Sequence, residues 1–141
     1  MTTRFHVQLG AALLGMMIVI CPGAASGGKA RSRFAGSYTG KYIAYRLNVQ
    51  GQQEGVDTTT IDEKGNVSGE ATNTTVNQTV KLTGTIDDDG RVRMVYEFPN
   101  ATYTATGTYS KTRKGTIIGT LIQWSGMRAM GVIELELTPK R

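Results

Sequence analysis

The chain is poor in the side chains on which much enzyme chemistry depends. It has one cysteine, Cys21, and one histidine, His6, and both lie in an N-terminal segment that we predict to be removed. Because the rest of the chain has neither residue, it cannot provide a thiol nucleophile, an imidazole base or a Cys/His metal cluster. A disulfide is excluded as well, so core burial and hydrogen bonding must stabilise the fold.

The N-terminal segment has the layout of a secretory signal. Arg4 precedes an uncharged apolar stretch over residues 7–20, and Pro22 and small residues follow it. This order is typical of a signal peptide, which we predict over residues 1–26 with cleavage near Ala25 or Ser26. We therefore expect a secreted or periplasmic protein.

Two other fates of this segment are disfavoured. Lipidation at Cys21 requires a small residue before the cysteine, and Ile20 stands there. The apolar stretch is also shorter than the roughly 20 residues that span a bilayer, so we predict no stable membrane span after cleavage.

Cleavage leaves about 115 residues, a length suited to one small domain. The net charge is +5, and several of the basic residues cluster at 29–33, 111–114 and 140–141. We predict a basic flexible segment over residues 27–35 and a single domain over 36–141. The basic residues are not interleaved with exposed aromatic residues, so nucleic acid is not a predicted partner.

Residues 27–141 show period-two alternation and no convincing helical period. The clearest example is RVRMVYEF, residues 91–98, where apolar and charged residues alternate. Short turns rich in Gly, Asp and Asn separate such segments, which predicts an antiparallel meander. The predicted strands are 36–49, 56–61, 67–73, 79–86, 91–98, 102–110, 116–124 and 131–138.

Eight strands in a flat sheet would leave two exposed edges, which closure into a barrel removes. We therefore predict an all-β, up-and-down barrel, with a strongly coiled sheet or a Greek-key sandwich as alternatives. In-phase glycines such as Gly84 and Gly107 would let the strands coil tightly. A shift of apolar phase in the first strand predicts a bulge near Tyr42 and Ile43. The predicted outer faces carry Thr, Arg, Lys and Glu, which disfavours a lipid-facing barrel.

The order GSYTGKY, DEKGNVSGEA, VKLTGTI, RVRMVYEF, TYTATGTY, TIIGTLIQW and IELEL resembles the small secreted meander barrels of the avidins and lipocalins. The resemblance is one of pattern and covers most of residues 36–141. It implies a barrel that binds a small molecule at its mouth. Avidins pack their ligand with several tryptophans and lipocalins carry Gly-x-Trp near the first strand. Here Trp124 is the only tryptophan and Tyr38 stands at the lipocalin position, so the architecture alone carries over.

Carboxylates are the remaining candidates for catalysis. The eleven acids fall mostly in predicted turns or on outer faces, and none has a predicted inner position where burial would tune its pKa. Asp87–Asp89 are adjacent and followed by Gly90, which favours a hairpin turn over a calcium site. We predict no enzyme activity, no catalytic residue, no metal site and no cofactor.

Aromatic side chains are the candidate ligand contacts, because Tyr and Trp combine apolar bulk with a hydrogen-bonding tip. An eight-stranded barrel holds side chains or one small ligand, so plain core is the favoured interpretation and a pocket the alternative. The candidates are Tyr38, Met94, Tyr96, Tyr103, Tyr109 and Trp124.

The function predicted first is a secreted binding module for a small apolar or amphipathic ligand. The alternative is a protein-interaction or inhibitor domain acting through loops and an outer face. A protein partner would then contact Trp124–Met130, where WSGMRAM leaves apolar residues in a predicted loop.

Overall fold

The computed structural model describes residues 30–48 and 50–141, which form an all-β barrel. The predicted signal peptide, its cleavage and the lipidation of Cys21 lie outside the described residues. Eight antiparallel strands follow one another around the barrel, and the first pairs with the last. They are β1 (Gly36–Arg46), β2 (Gln52–Ile61), β3 (Asn66–Asn73), β4 (Gln78–Ile86), β5 (Arg91–Phe98), β6 (Ala101–Lys111), β7 (Ile117–Ser125) and β8 (Arg128–Pro139). The predicted up-and-down meander and its closure are confirmed.

Side chains alternate between the barrel interior and solvent along every strand. In β5, Val92, Met94 and Tyr96 are buried while Arg91 and Arg93 are exposed, as the sequence predicts. Burial of apolar area of this kind is the main stabilising contribution of such a core. No helix in the described part of the chain is long and apolar enough to span a membrane.

One end of the barrel is formed by three turns of the same design, over residues 62–65, 87–90 and 112–115. In each, the backbone N–H of a terminal glycine donates to the carbonyl three residues earlier, at 2.9–3.1 Å. The three glycines have φ between +85° and +87°, which only glycine adopts without strain. The acidic run at 87–89 is therefore a hairpin turn, as predicted.

Residues 31–35, which we call the N-terminal cap, cover this closed end. Phe34 is 0% exposed, and the backbone N–H of Ser32 donates to the Glu63 carbonyl at 2.9 Å. The Tyr38 hydroxyl donates to the Phe34 carbonyl at 2.7 Å, and Lys111 Nζ donates to the Arg33 carbonyl at 2.9 Å. Residues 31–35 thus differ from the predicted flexible segment, because the one aromatic residue among the basic ones is buried in the barrel.

The bulge predicted at Tyr42 and Ile43 is wrong, because β1 keeps one register with β2 and with β8 through those residues. Tyr42 faces inward, whereas Tyr45 and Leu47 lie exposed on the outside. The register shift of the barrel occurs between β7 and β8 instead. There Gln123 pairs with Gly131 but Trp124 pairs with Ala129, which leaves Met130 without a partner on β7.

The loop predicted around Trp124–Met130 is also wrong in extent. β7 continues to Ser125 and β8 begins at Arg128, so a tight turn at Gly126 and Met127 joins them. Met127 is 99% exposed at the tip of this turn.

Candidate ligand-binding site

The end of the barrel opposite the N-terminal cap opens into a cavity. The cavity has a volume of about 40 Å³, and the wider space at its mouth is open to solvent. A buried water needs about 10–15 Å³ of such space, so the cavity is small and suits a slender group. The lining residues are Tyr42, Ala44, Arg46, Gln53, Asp57, Ala71, Asn73, Gln78, Val80, Tyr96, Phe98, Gln123 and Ile133.

Asp57 on β2 is the carboxylate of this cavity, and its residue is only 2% exposed. The Thr59 hydroxyl donates a hydrogen bond to Oδ1 of Asp57. In the described part of the chain no fully enclosed side-chain oxygen or nitrogen lacks a partner. Oδ2, to which no donor in that part is assigned, is therefore in contact with the cavity.

Small residues flank Asp57 on its own strand and on the two neighbouring strands. Its neighbours across the sheet are Gly40 on β1 and Ala71 on β3, and Gly55 precedes it on the same face of β2. The ring of Tyr42 lies over Gly55, where a Cβ atom would collide with it. Glycine at position 55 therefore allows the tyrosine ring to form one wall of the cavity.

Burial raises the pKa of Asp57 to about 6, and the hydrogen bond from Thr59 offsets only part of this effect. The same burial raises the pKa of Tyr96 and of Tyr42, and the negative charge of Asp57 raises both further. At neutral pH the cavity therefore holds one largely ionised carboxylate beside neutral phenols.

Polar side chains form the mouth of the cavity. Gln53 Oε1 accepts hydrogen bonds from Arg46 Nε and from Asn73 Nδ2, both at 3.0 Å. On the opposite side the rings of Phe98 and Tyr103 meet edge to face, with centroids 5.1 Å apart. A bound molecule would pass between this amide network and the aromatic pair.

The six residues predicted as ligand contacts fall into three places. Tyr38, Met94 and Tyr109 are buried in the packed half of the barrel, away from the cavity lining. Tyr96 lines the cavity and Tyr103 packs against Phe98 at its mouth. Trp124 lies on the outer face, where its indole N–H donates to Thr106 Oγ1 at 3.1 Å.

The expectation that no carboxylate faces inward is wrong, because Asp57 does. The signal was present in β2, where Asp57, Thr59 and Ile61 share one face at period two. Reading the strand from apolar Ile61 backwards places Asp57 inside and Val56 outside. Gln123 was also missed, although it shares the inward phase of Ile117, Gly119 and Leu121.

The cavity offers few groups for chemistry beyond binding. Among the residues lining it, Asp57 is the sole carboxylate and Arg46 the sole cation. Within residues 30–48 and 50–141, no three His, Cys, Asp or Glu side chains are placed to share a metal ion. What the arrangement can do is accept hydrogen bonds at its floor and contact apolar groups along its walls.

Comparisons with known proteins leave the family open. No protein-family model matches the chain, and no curated protein matches its sequence. The chain is similar in structure to the crystal structure of Rv2717c from M. tuberculosis, with a TM-score of 0.49 and 14% sequence identity. The similarity covers 77% of this chain and 93% of that one. The fold assignment rests on the strand pairing of the present chain, and kinship with avidins or lipocalins stays a prediction.

Proposed function

We propose that the protein is a secreted binding module that holds a small amphipathic molecule in the open-end cavity. The observation that carries this proposal is the division of the barrel interior. One half is filled by side chains, and the other retains a solvent-connected cavity with a buried carboxylate at its floor. Binding sites typically combine apolar walls with a few polar groups that fix orientation.

Binding is favoured over catalysis by the number of reactive groups. A buried carboxyl with a raised pKa is also found in acid–base catalysts. Glycoside hydrolysis, however, typically requires two carboxylates flanking one bond, and the cavity lining provides Asp57 alone. A single carboxylate is sufficient to orient a ligand.

The proposal is tested by filling the cavity. Val80 on β4 points into it, whereas Val95 on β5 has the outward phase. Val80→Phe should remove a molecule that native mass spectrometry detects on protein secreted by its own host, and Val95→Phe should retain it. Ala71→Leu is a milder filling change to use if Val80→Phe impairs folding. Wild-type protein that carries no molecule and binds no amphipathic probe would contradict the proposal.

A second candidate function is protein interaction, favoured by an apolar patch on the outside of the barrel. Tyr45, Val132 and Ile122 are neighbours across β1, β8 and β7, with Val132 paired to both of the others. Tyr45 and Ile122 are each 42% exposed. Such patches are typical of surfaces that pack against another protein.

Self-association is the simplest form of this second function to measure. Sedimentation velocity at increasing concentration should show association of the wild type that Ile122→Glu abolishes. Thr120→Glu, an exposed outward change on the same strand, serves as the control. A wild type that stays monomeric throughout would remove self-association as the role of the patch.

A further inference from the structure

The floor of the cavity restricts the chemistry of its occupant, and this inference rests on the proposed binding function. Asp57 is 2% exposed, and the Thr59 hydroxyl occupies one carboxylate oxygen. The other oxygen, Oδ2, contacts the cavity. A molecule that fills the cavity displaces whatever water reaches Oδ2 and must supply a hydrogen bond in its place.

An apolar or anionic end group fits this floor poorly. A methyl end would leave a buried acceptor unsatisfied, and a carboxylate end would meet the like charge of Asp57. A cationic nitrogen both donates to Oδ2 and neutralises the carboxylate. Hydrogen bonds between charged groups are about twice as strong as neutral ones.

The shape of the cavity restricts the occupant further. The cavity, of about 40 Å³, holds a group of only a few heavy atoms. Toward the mouth, Ala44 follows Tyr42 on β1 and Phe98 follows Tyr96 on β5, so apolar side chains lie between the phenols and the solvent. A small head followed by an unbranched apolar chain matches this sequence of surroundings.

We propose that the cavity binds a slender amphiphile head first, with a small cationic nitrogen such as a primary ammonium on Asp57 Oδ2 and the apolar chain directed to the mouth. Asp57 fixes the orientation, and Thr59 holds the carboxylate through Oδ1. Arg46 at the mouth is held by Gln53, which keeps that positive charge at the rim.

The test uses three probes of equal chain length: hexylamine, 1-hexanol and hexanoate. Alkylammonium groups are protonated near pH 7.5, because their pKa resembles the value of about 10.4 for lysine. Affinities from titration calorimetry are compared for wild type, Asp57→Asn and Val80→Phe, and amide NMR shifts locate the site. Asp57→Asn keeps the size of the side chain and an acceptor for Thr59 but removes the charge.

We expect wild type to bind hexylammonium at least about tenfold more tightly than 1-hexanol, and hexanoate most weakly. In Asp57→Asn the preference for hexylammonium should fall below about twofold. Equal affinities for hexylammonium and 1-hexanol in wild type, or an unchanged preference in Asp57→Asn, would overturn the inference.

The two proposals fail in different ways. If 1-hexanol and hexylammonium bind equally, shift cavity amides and are both lost in Val80→Phe, the head-group inference fails and the binding function stands. If no probe shifts the cavity amides, the binding function fails and the inference fails with it. Ala71→Leu replaces Val80→Phe if the larger side chain prevents folding.

Discussion

The closed end of the barrel is filled by large side chains, whereas the open end surrounds a cavity with both polar and apolar ones. At the closed end Phe34, Tyr38 and Tyr109 are almost fully buried, and hydrogen bonds from Tyr38 and Lys111 join the N-terminal cap to the barrel. At the open end Asp57 and Gln123 are buried beside a cavity. Packing at the closed end stabilises the fold. We infer that it compensates for the energetic cost of an ionised carboxylate and of unfilled volume at the open end.

The largest expected effect concerns the cap. Phe34→Ala removes a fully buried ring and should lower the free energy of unfolding by about 3–5 kcal/mol. Phe98→Ala is the matched change at the open end, where the ring is half-buried, and should cost about 1–2 kcal/mol. Urea unfolding measures both. Equal losses of unfolding free energy would show that the two ends contribute alike to stability.

Asp57→Asn should have the opposite effect and raise the free energy of unfolding. Because the folded-state pKa of Asp57 is about 6 against an ordinary value of 3.8, the folded protein binds its proton more tightly than the unfolded chain. The stability contributed by this group is therefore greatest below about pH 4 and is lost as the pH rises through 6. Asp57→Asn should raise the free energy of unfolding by up to about 3 kcal/mol near pH 8 and by almost nothing near pH 4.

Unfolding of the wild type and the variant at a series of pH values measures this difference. Asp88→Asn, in an exposed closed-end turn, is the control and should leave the curve unchanged. If Asp57→Asn raised the free energy of unfolding equally near pH 4 and near pH 8, burial of the charge would be contradicted as the cause.

Gly119→Ala should test the packed half directly. A Cβ atom at Gly119 would lie 2.5 Å from Cδ1 of Tyr109 and 3.1 Å from Cδ1 of Leu135. Both side chains are buried and have little room to move, so the change should cost about 2 kcal/mol. Thr120→Ala, the exposed neighbour, should change the thermal midpoint little. A tolerated Gly119→Ala would mean that the closed half is looser than its burial indicates.

The smallest effect is expected for Tyr38→Phe. The Tyr38 hydroxyl donates to the Phe34 carbonyl at 2.7 Å and accepts a hydrogen bond from Lys111 Nζ at 3.0 Å. Its loss should cost about 1–2 kcal/mol and should increase proteolysis or hydrogen exchange within the cap. Tyr45→Phe, on the exposed outer face, should do neither.

The sequence predicts the closed half far better than the open half. Period-two alternation and the Gly-terminated turns are local signals, so the order of the strands and most inward faces follow from them. Phe34 has no such signal, because one apolar residue in a basic segment has no period. Tyr45 and Leu47 mislead in the other direction, since they are apolar and nevertheless lie outside.

The cavity depends on properties that alternation does not express. Its lining combines residues that are far apart in the sequence: Ala71 on β3 lies beside Asp57 on β2, and Tyr42 on β1 forms another wall. A polar residue in a strand suggests an outer face on average, yet Asp57 has the phase of Ile61. The pairing of β2 with β1 and β3, which the sequence does not give, determines which residues lie beside Asp57.

The pairing of β1 with β8 has a consequence for how the chain is made. The first strand to emerge during synthesis obtains its second partner only when the last strand is available, about 90 residues later. Until then the second edge of β1 is unpaired and the interior lies open, so we expect closure of the barrel to be a late step of folding. Phe34 lies beside the turn at Gly90, and Lys111 of β6 donates to the neighbouring Arg33 carbonyl. The N-terminal cap therefore needs β6 in place, so this first part of the domain to be synthesised is among the last to be secured.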